Sequence, residues 1–334
     1  MKGLKDAISM KEISDLVRDD LKRVEEVIGL ESVGSVAAIN TISHHMQSAG
    51  GKRLRPILLL LSSRLVSSEE ATTKDAIELA AVVEMIHTAT LVHDDVIDEA
   101  KTRRGRPSVN AIWGNQASVL AGDWLYMQAF QISMRQRNFD LLDTLIGLTQ
   151  LLVEGELLQL ERLGRIDISE ADYMELVDRK TASLFATCCR LGAMAGGADD
   201  VKCARLGEFA WNLGIAFQMI DDILDFTSKE TILGKPVGND LAEGKVTLPL
   251  LYSLTETTRE ETRLIETVLK DRSYERVPFS NVLEIIEKYG GVEKALERAK
   301  FFTDRARQII EGFPDSAYRK ALIAIAAIIT DRDR

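Results

Sequence analysis

No proline stands between positions 108 and 235, and that absence narrows the folds open to this 334-residue chain more than any other feature. Proline removes a backbone donor and breaks helix interiors, so a long proline-free run rich in helix formers can stay helical. This run is dense in Leu, Ala, Met, Glu and Gln, and its apolar residues recur at helical spacing, as in Leu141, Leu145, Leu148 and Leu152, or Leu176, Leu184 and Leu191. No strand-length alternation competes with it. Breaks fall at Gly50-Gly51, Arg104-Gly105-Arg106-Pro107, Gly196-Gly197 and from Gly234 to Gly244, which suits antiparallel helices joined by short loops. With no linker-like or low-complexity tract and no solenoid repeat, residues 1–334 are expected to form one all-α domain.

Onto that helical frame the sequence writes one acidic pattern twice. Asp94-Asp95-Val96-Ile97-Asp98 and Asp221-Asp222-Ile223-Leu224-Asp225 each follow apolar sequence. On a helix, residues i, i+3 and i+4 share a face, so each run aims carboxylates at one spot. Carboxylates in apolar surroundings are unfavourable by several kcal/mol each unless compensated, and six of them call for strong counter-charge. Asp19-Asp20 and Asp199-Asp200 are also acidic pairs, but they continue into Leu-Lys-Arg and Val-Lys-Cys and read as solvated helix surface. A divalent cation is the expected partner of the two complete runs, and Mg²⁺ is the natural one, because it is held by a few carboxylates together with water and substrate phosphates. A phosphorylated substrate is therefore expected.

The net charge of −10 and pI near 5.1 argue against nucleic acid and against electrostatic adhesion to anionic lipid. Cys188, Cys189 and Cys203 form no metal-spacing motif and suit a reducing cytoplasm. The N-terminal MKGLKDAISMKEISDL lacks the apolar run of a signal peptide, and the nine-residue run Ala321 to Ile329 is short of a membrane span, so no stable membrane insertion is expected.

Against that acidic background the basic clusters stand out. Gly51-Lys52-Arg53-Leu54-Arg55-Pro56 brings cations and backbone N–H groups to a helix start, a good diphosphate site, and the arginine fork suits phosphate oxygens. Arg103 and Arg104 stand five and six residues past Asp98. His87, two turns before Asp94, lies on its face and is a candidate phosphate ligand, whereas His93 points elsewhere and reads as structural. Lys180-Thr181, Gln218, Lys235 and Lys245 supply a second set of phosphate donors near the second acidic run.

Together GGKRLRP, EMIHTATLVHDDVIDEAKTRRG, GNQASVLAGDWLY, Lys180-Thr181, FQMIDDILDF and GKPVGNDLAEGKVTLPL resemble, in order, the trans-isoprenyl diphosphate synthases, nearest the bacterial long-chain octaprenyl and solanesyl type. The resemblance covers roughly residues 40 to 255. It implies a helical bundle around a deep central cavity and a prenyltransferase that adds isopentenyl diphosphate head-to-tail to an allylic diphosphate. By it, Lys52, Arg55, His87 and Arg104 hold isopentenyl diphosphate. Arg103, Lys180, Thr181, Gln218, Lys235 and Lys245 assist the allylic diphosphate. Asp94, Asp95, Asp98, Asp221, Asp222 and Asp225 bind two or three Mg²⁺ ions bridged by that diphosphate. A cytoplasmic homodimer that hands its product to a membrane is implied as well.

In this family the positions four and five residues before the first aspartate help to set pocket depth, and here they are Thr90 and Ala89. Small side chains there imply a channel deepening by about 5 Å, or one isoprene unit, per helical turn, and hence an all-trans product of about C35 to C50 for quinone side chains. Phe130 or Met134 is the candidate floor. A short-chain farnesyl or geranylgeranyl synthase uses the same chemistry, and a noncatalytic subunit of a heteromeric synthase is the reading from another class.

Overall fold

In the computed structural model, residues 8–48, 50–68, 72–228 and 237–330 are described. They are helical nearly throughout, and the one strand pairing among the described residues is a ribbon of two residues a side, Thr102–Arg103 (β1) against Arg106–Pro107 (β2). The all-α expectation holds. The helices gather into two compact units, one built from residues 8–149, Phe185–Glu208 and Ile310–Ala324, the other from Gln150–Leu184, Phe209–Ile309 and residues 325–330.

The first unit contains α1 (Met10–Leu16), α2 (Arg18–Glu31), α3 (Ala37–Ser48), α4 (Leu54–Val66), α5 (Lys74–Ile97) and α6 (Val109–Arg135). Its centre is α5. Thr73 starts that helix by accepting a hydrogen bond from the Ala76 N–H, and the stretch that follows is apolar on every side, the signature of a core helix rather than a surface one. By length and composition α5 is long and apolar enough to cross a membrane, yet 67% of its most apolar stretch is buried within the protein. It packs most extensively along α6, and also against α4 and α2. Gly122 on α6 makes one such approach possible, because a Cβ there would run into the His93 imidazole, whose Nε2 lies 3.1 Å from the Val119 carbonyl oxygen. His93 is thus a packed structural residue. Two further helices contribute to this core: α7 (Phe139–Arg162), whose part up to Thr149 buries Leu141, Leu145 and Leu148, and α9 (Ser183–Ala195), whose Gly192 lies directly on the Leu59 carbonyl of α4.

The second unit is organised on the C-terminal half of α10 (Asp200–Thr227), where Ile215, Met219, Ile223 and Phe226 are buried with Leu248, Ile265 and Ile286. The helix Arg259–Asp271 shows the local logic: it opens with a Thr258–Glu261 capping box and buries Ile265, Val268 and Leu269, an i, i+3, i+4 stripe, while charged residues face out. Between α8 (Glu170–Val177) and α9 the chain makes a five-residue π-turn, Asp178–Ala182.

Candidate active site

In the first unit, Asp94 and Asp95 occupy the last turn of α5 and Asp98 caps it, its N–H bonding the Asp94 carbonyl oxygen at 2.8 Å. Asp95 is 3% exposed. Its carboxylate accepts from Arg103 Nε at 2.8 Å and from Arg103 Nη2, while Asn110 Nδ2 donates to its backbone carbonyl at 2.9 Å. Arg103 is delivered by the β1–β2 ribbon. Arg104 and Gly105, with φ of 52° and 73°, form the two-residue left-handed turn that the twist of a hairpin favours. The turn aims the Arg104 guanidinium at the Gly50 carbonyl oxygen, and it lies so close to Gly51 that a Cβ there would come within 2.6 Å of Arg104 Nη1 and displace the guanidinium.

A cleft beside these groups is lined by Arg53, Glu84, His87, Asp95, Arg103 and Arg104, among others. Burial holds the His87 imidazole well below the usual histidine range, and the charges of Arg55, Arg104, Arg103 and Arg53 press it further toward the neutral form. His87, Arg55 and Arg104, read as one diphosphate-binding set, therefore share an electrostatic environment. Arg55 also stacks over Phe185, 5.4 Å from the ring centroid, and Lys52 is exposed. Ala89 is fully buried, whereas Thr90 is half-buried with its hydroxyl donated back to the His87 carbonyl oxygen at 2.7 Å. Met134 is 57% exposed and so faces away from the core of its own unit; Phe130 is half-buried.

In the second unit, Asp221, Asp222 and Asp225 lie near the end of α10. Asp222 is buried, with Tyr173 donating to Oδ2 at 2.7 Å and Gln218 Nε2 to Oδ1 at 2.8 Å. Thr181 in turn donates to Gln218 Oε1 at 2.9 Å, so the π-turn is joined to the aspartate run through one glutamine. Burial, with the charges of Asp240 and Asp221, drives the Asp222 carboxyl up, and the Tyr173 and Gln218 hydrogen bonds offset part of that rise. Asp225 accepts from the Asp240 N–H at 3.1 Å. Lys180, displayed by the π-turn, donates to Gln159 at 3.0 Å and pairs with Glu156; Lys245 pairs with Glu243 at 2.6 Å. Lys235 lies outside the described residues.

Reading along the sequence passed over Tyr173, Asp240, Glu84 and Arg53 as site residues. Asp240 had a visible signal, an acid five residues before Lys245 in a glycine-bearing loop, and Glu84 is the one acid between Glu78 and Asp94 in a largely apolar stretch. Tyr173 had none.

Among the described residues no three His, Cys, Asp or Glu side chains converge as a ready-made ion cage. The donor set nevertheless fits a hard cation: the charges of Asp240 and Asp221 press on the buried Asp222 carboxylate, and a divalent ion held by few carboxylates and completed by water and phosphate would relieve that repulsion.

A nearly all-helical scaffold bearing two aspartate runs, each beside basic and amide side chains, defines the isoprenoid synthase class of prenyltransferases. Residues 36–286 match the family described as polyprenyl synthetase. The chain is 37% identical over 328 residues to the octaprenyl diphosphate synthase of Haemophilus influenzae, covering 98% of each. It is similar to the crystal structure of a polyprenyl synthase from Caulobacter crescentus complexed with calcium and isoprenyl diphosphate, with TM-score 0.91, 35% identity and coverage of 98% and 99%. A decaprenyl diphosphate synthase from Rhodobacter capsulatus gives TM-score 0.92 at 33% identity, with coverage of 98% and 100%. The chain belongs to the polyprenyl synthetase family and is a prenyltransferase.

Proposed function

We propose that this protein is a long-chain all-trans polyprenyl diphosphate synthase, condensing isopentenyl diphosphate repeatedly onto an allylic diphosphate to give a chain of about C35 to C50, the length expected of a channel that deepens by one isoprene unit per helical turn. Its product suits quinone side chains. The observation that carries the reading is that both aspartate runs are complete, each beside basic side chains, in a chain matched over nearly its full length by long-chain synthases. Noncatalytic subunits tend to lose those aspartates.

In the proposed mechanism, Asp94, Asp95 and Asp98, and Asp221, Asp222 and Asp225, hold Mg²⁺ for the allylic diphosphate. The ions supply Lewis-acid charge that stabilises the leaving diphosphate. Arg103, Lys180 and Lys245 add fixed positive charge as the allylic C–O bond breaks, with Lys235 assigned the same role from sequence. Thr181 and Gln218 orient the carboxylate at Asp222. Lys52, Arg55, His87 and Arg104 hold isopentenyl diphosphate so that its double bond faces the allylic carbon, and apolar walls keep water from the cation. The test is purified protein with Mg²⁺, farnesyl diphosphate and isopentenyl diphosphate: long products are expected, and chelation should abolish them. Products stopping at C15 or C20 would support the short-chain reading, and elongation appearing only with an added partner would support the subunit reading.

A homodimer belongs to the same proposal. Leu120, Met127 and Met134, at seven-residue spacing on α6, are 68%, 63% and 57% exposed, and Phe139 at the start of α7 is 80% exposed. A row of large exposed apolar side chains of this kind marks a surface that another protein covers. Sedimentation should show a dimer, and the pair Leu120→Glu and Met127→Glu a monomer; dimers persisting in that variant would refute this interface. Three buried thiols, Cys188, Cys189 and Cys203, support a cytoplasmic location with hand-off of the apolar product to a membrane, which cell fractionation tests.

A further inference from the structure

Arg53 caps α4 with a left-handed backbone, φ 49° and ψ 35°, a conformation that side-chain-bearing residues rarely adopt and that persists only where the surroundings over-determine it. They do so here. Arg53 Nε donates to Glu25 Oε1 at 2.5 Å and Nη2 to Glu25 Oε2 at 3.1 Å, a two-pronged pair with α2. Its remaining arm, Nη1, donates to Glu84 Oε1 at 2.7 Å, and the Glu84 side chain on α5 is only 6% exposed. Glu84 lies three residues before His87 on the same helix face, and Glu84, Arg53 and His87 all line the cleft with Arg103 and Arg104. In a cleft so rich in arginine, a buried carboxylate is out of place as a binder of anions. It has another use.

We infer that Arg53 is a positioning residue: pinned by Glu84 and Glu25, it fixes the backbone of the segment 51–56 so that Lys52 and Arg55 on either side present their cations to isopentenyl diphosphate. Arg53 is not itself the phosphate ligand, because three of its five N–H groups, one on each nitrogen, bond two carboxylates that also neutralise its charge. Arginine is needed in place of lysine because only a planar fork can satisfy two carboxylates on two helices at once. The inference rests on the reading of Lys52, Arg55 and His87 as the isopentenyl diphosphate site.

Steady-state kinetics of Arg53→Lys, Glu84→Gln and Glu25→Gln tests it, with Arg55→Ala as the control for the site itself and thermal unfolding followed for each. Misplaced binding groups raise KM for isopentenyl diphosphate about ten- to a hundredfold in Arg53→Lys and Glu84→Gln, and KM for the allylic diphosphate changes less than about twofold. Glu25→Gln, altering the more exposed pair, gives a smaller rise in the same direction and keeps the question answerable if Glu84→Gln fails to fold. Folded variants with unchanged KM for isopentenyl diphosphate, or with both KM values raised equally, overturn the positioning role. An unchanged KM in Arg55→Ala would instead overturn the site assignment beneath it.

Discussion

Asp94→Ala is expected to lower kcat by about three orders of magnitude while leaving the thermal unfolding temperature almost unchanged. A metal ion poised at a leaving diphosphate supplies several kcal/mol of charge stabilisation, and each factor of ten in rate corresponds to about 1.4 kcal/mol. Asp94 is the informative choice because it is only half-buried, so its loss leaves no large cavity. Its neighbour would mislead: Asp95 is buried and paired with Arg103, and removing it strands a guanidinium, mixing a folding defect with any effect on the chemistry. Chelation of the wild-type protein should reproduce the Asp94→Ala rate. Near-wild-type turnover in Asp94→Ala would remove the first aspartate run from the chemistry.

The second large effect falls on what is made, not on how fast. Thr90→Tyr should shorten the product by several isoprene units, read by mass spectrometry of the dephosphorylated prenols, with the rate of the first condensation largely retained. Thr90 is half-buried on α5, so a larger side chain there has somewhere to project. Ala89 is different: it is fully buried, and a phenylalanine in its place would overpack a closed core at about 1–3 kcal/mol. The structure therefore separates two positions that look equivalent in sequence, and Thr90 carries the decisive test. A Thr90→Tyr enzyme that still makes the wild-type length would detach this position from length control.

The helical architecture was legible because its signals are local. Proline absence and apolar spacing mark helices, and breaks at Gly105 and Gly197 fall where the backbone turns to positive φ. The aspartate runs were equally plain, since spacing on one helix decides which carboxylates share a face. What stayed hidden depends on partners distant in sequence. Tyr173 reads as an ordinary core aromatic until its hydroxyl is found on Asp222, 49 positions later. Arg53 reads as one more cation in a basic segment, and only its two carboxylate partners separate it from Lys52 and Arg55. Met134, one of the two candidate floor residues by sequence, is 57% exposed within its own unit, which no local pattern announces.

The π-turn at Asp178–Ala182 has a consequence for how this gene can change. A π-turn holds one residue more than an α-helical turn would, yet the strand of text DRKTASLF betrays nothing unusual. Deleting a single codon within it would let the i→i+5 hydrogen bonds close as i→i+4 ones, restoring regular α-helix with the residues beyond kept over the same partners. Leu184, Phe185, Cys188, Cys189 and Leu191, all buried, lie just downstream. Their register would survive that loss, and what would go is the widened turn that displays Lys180 and Thr181.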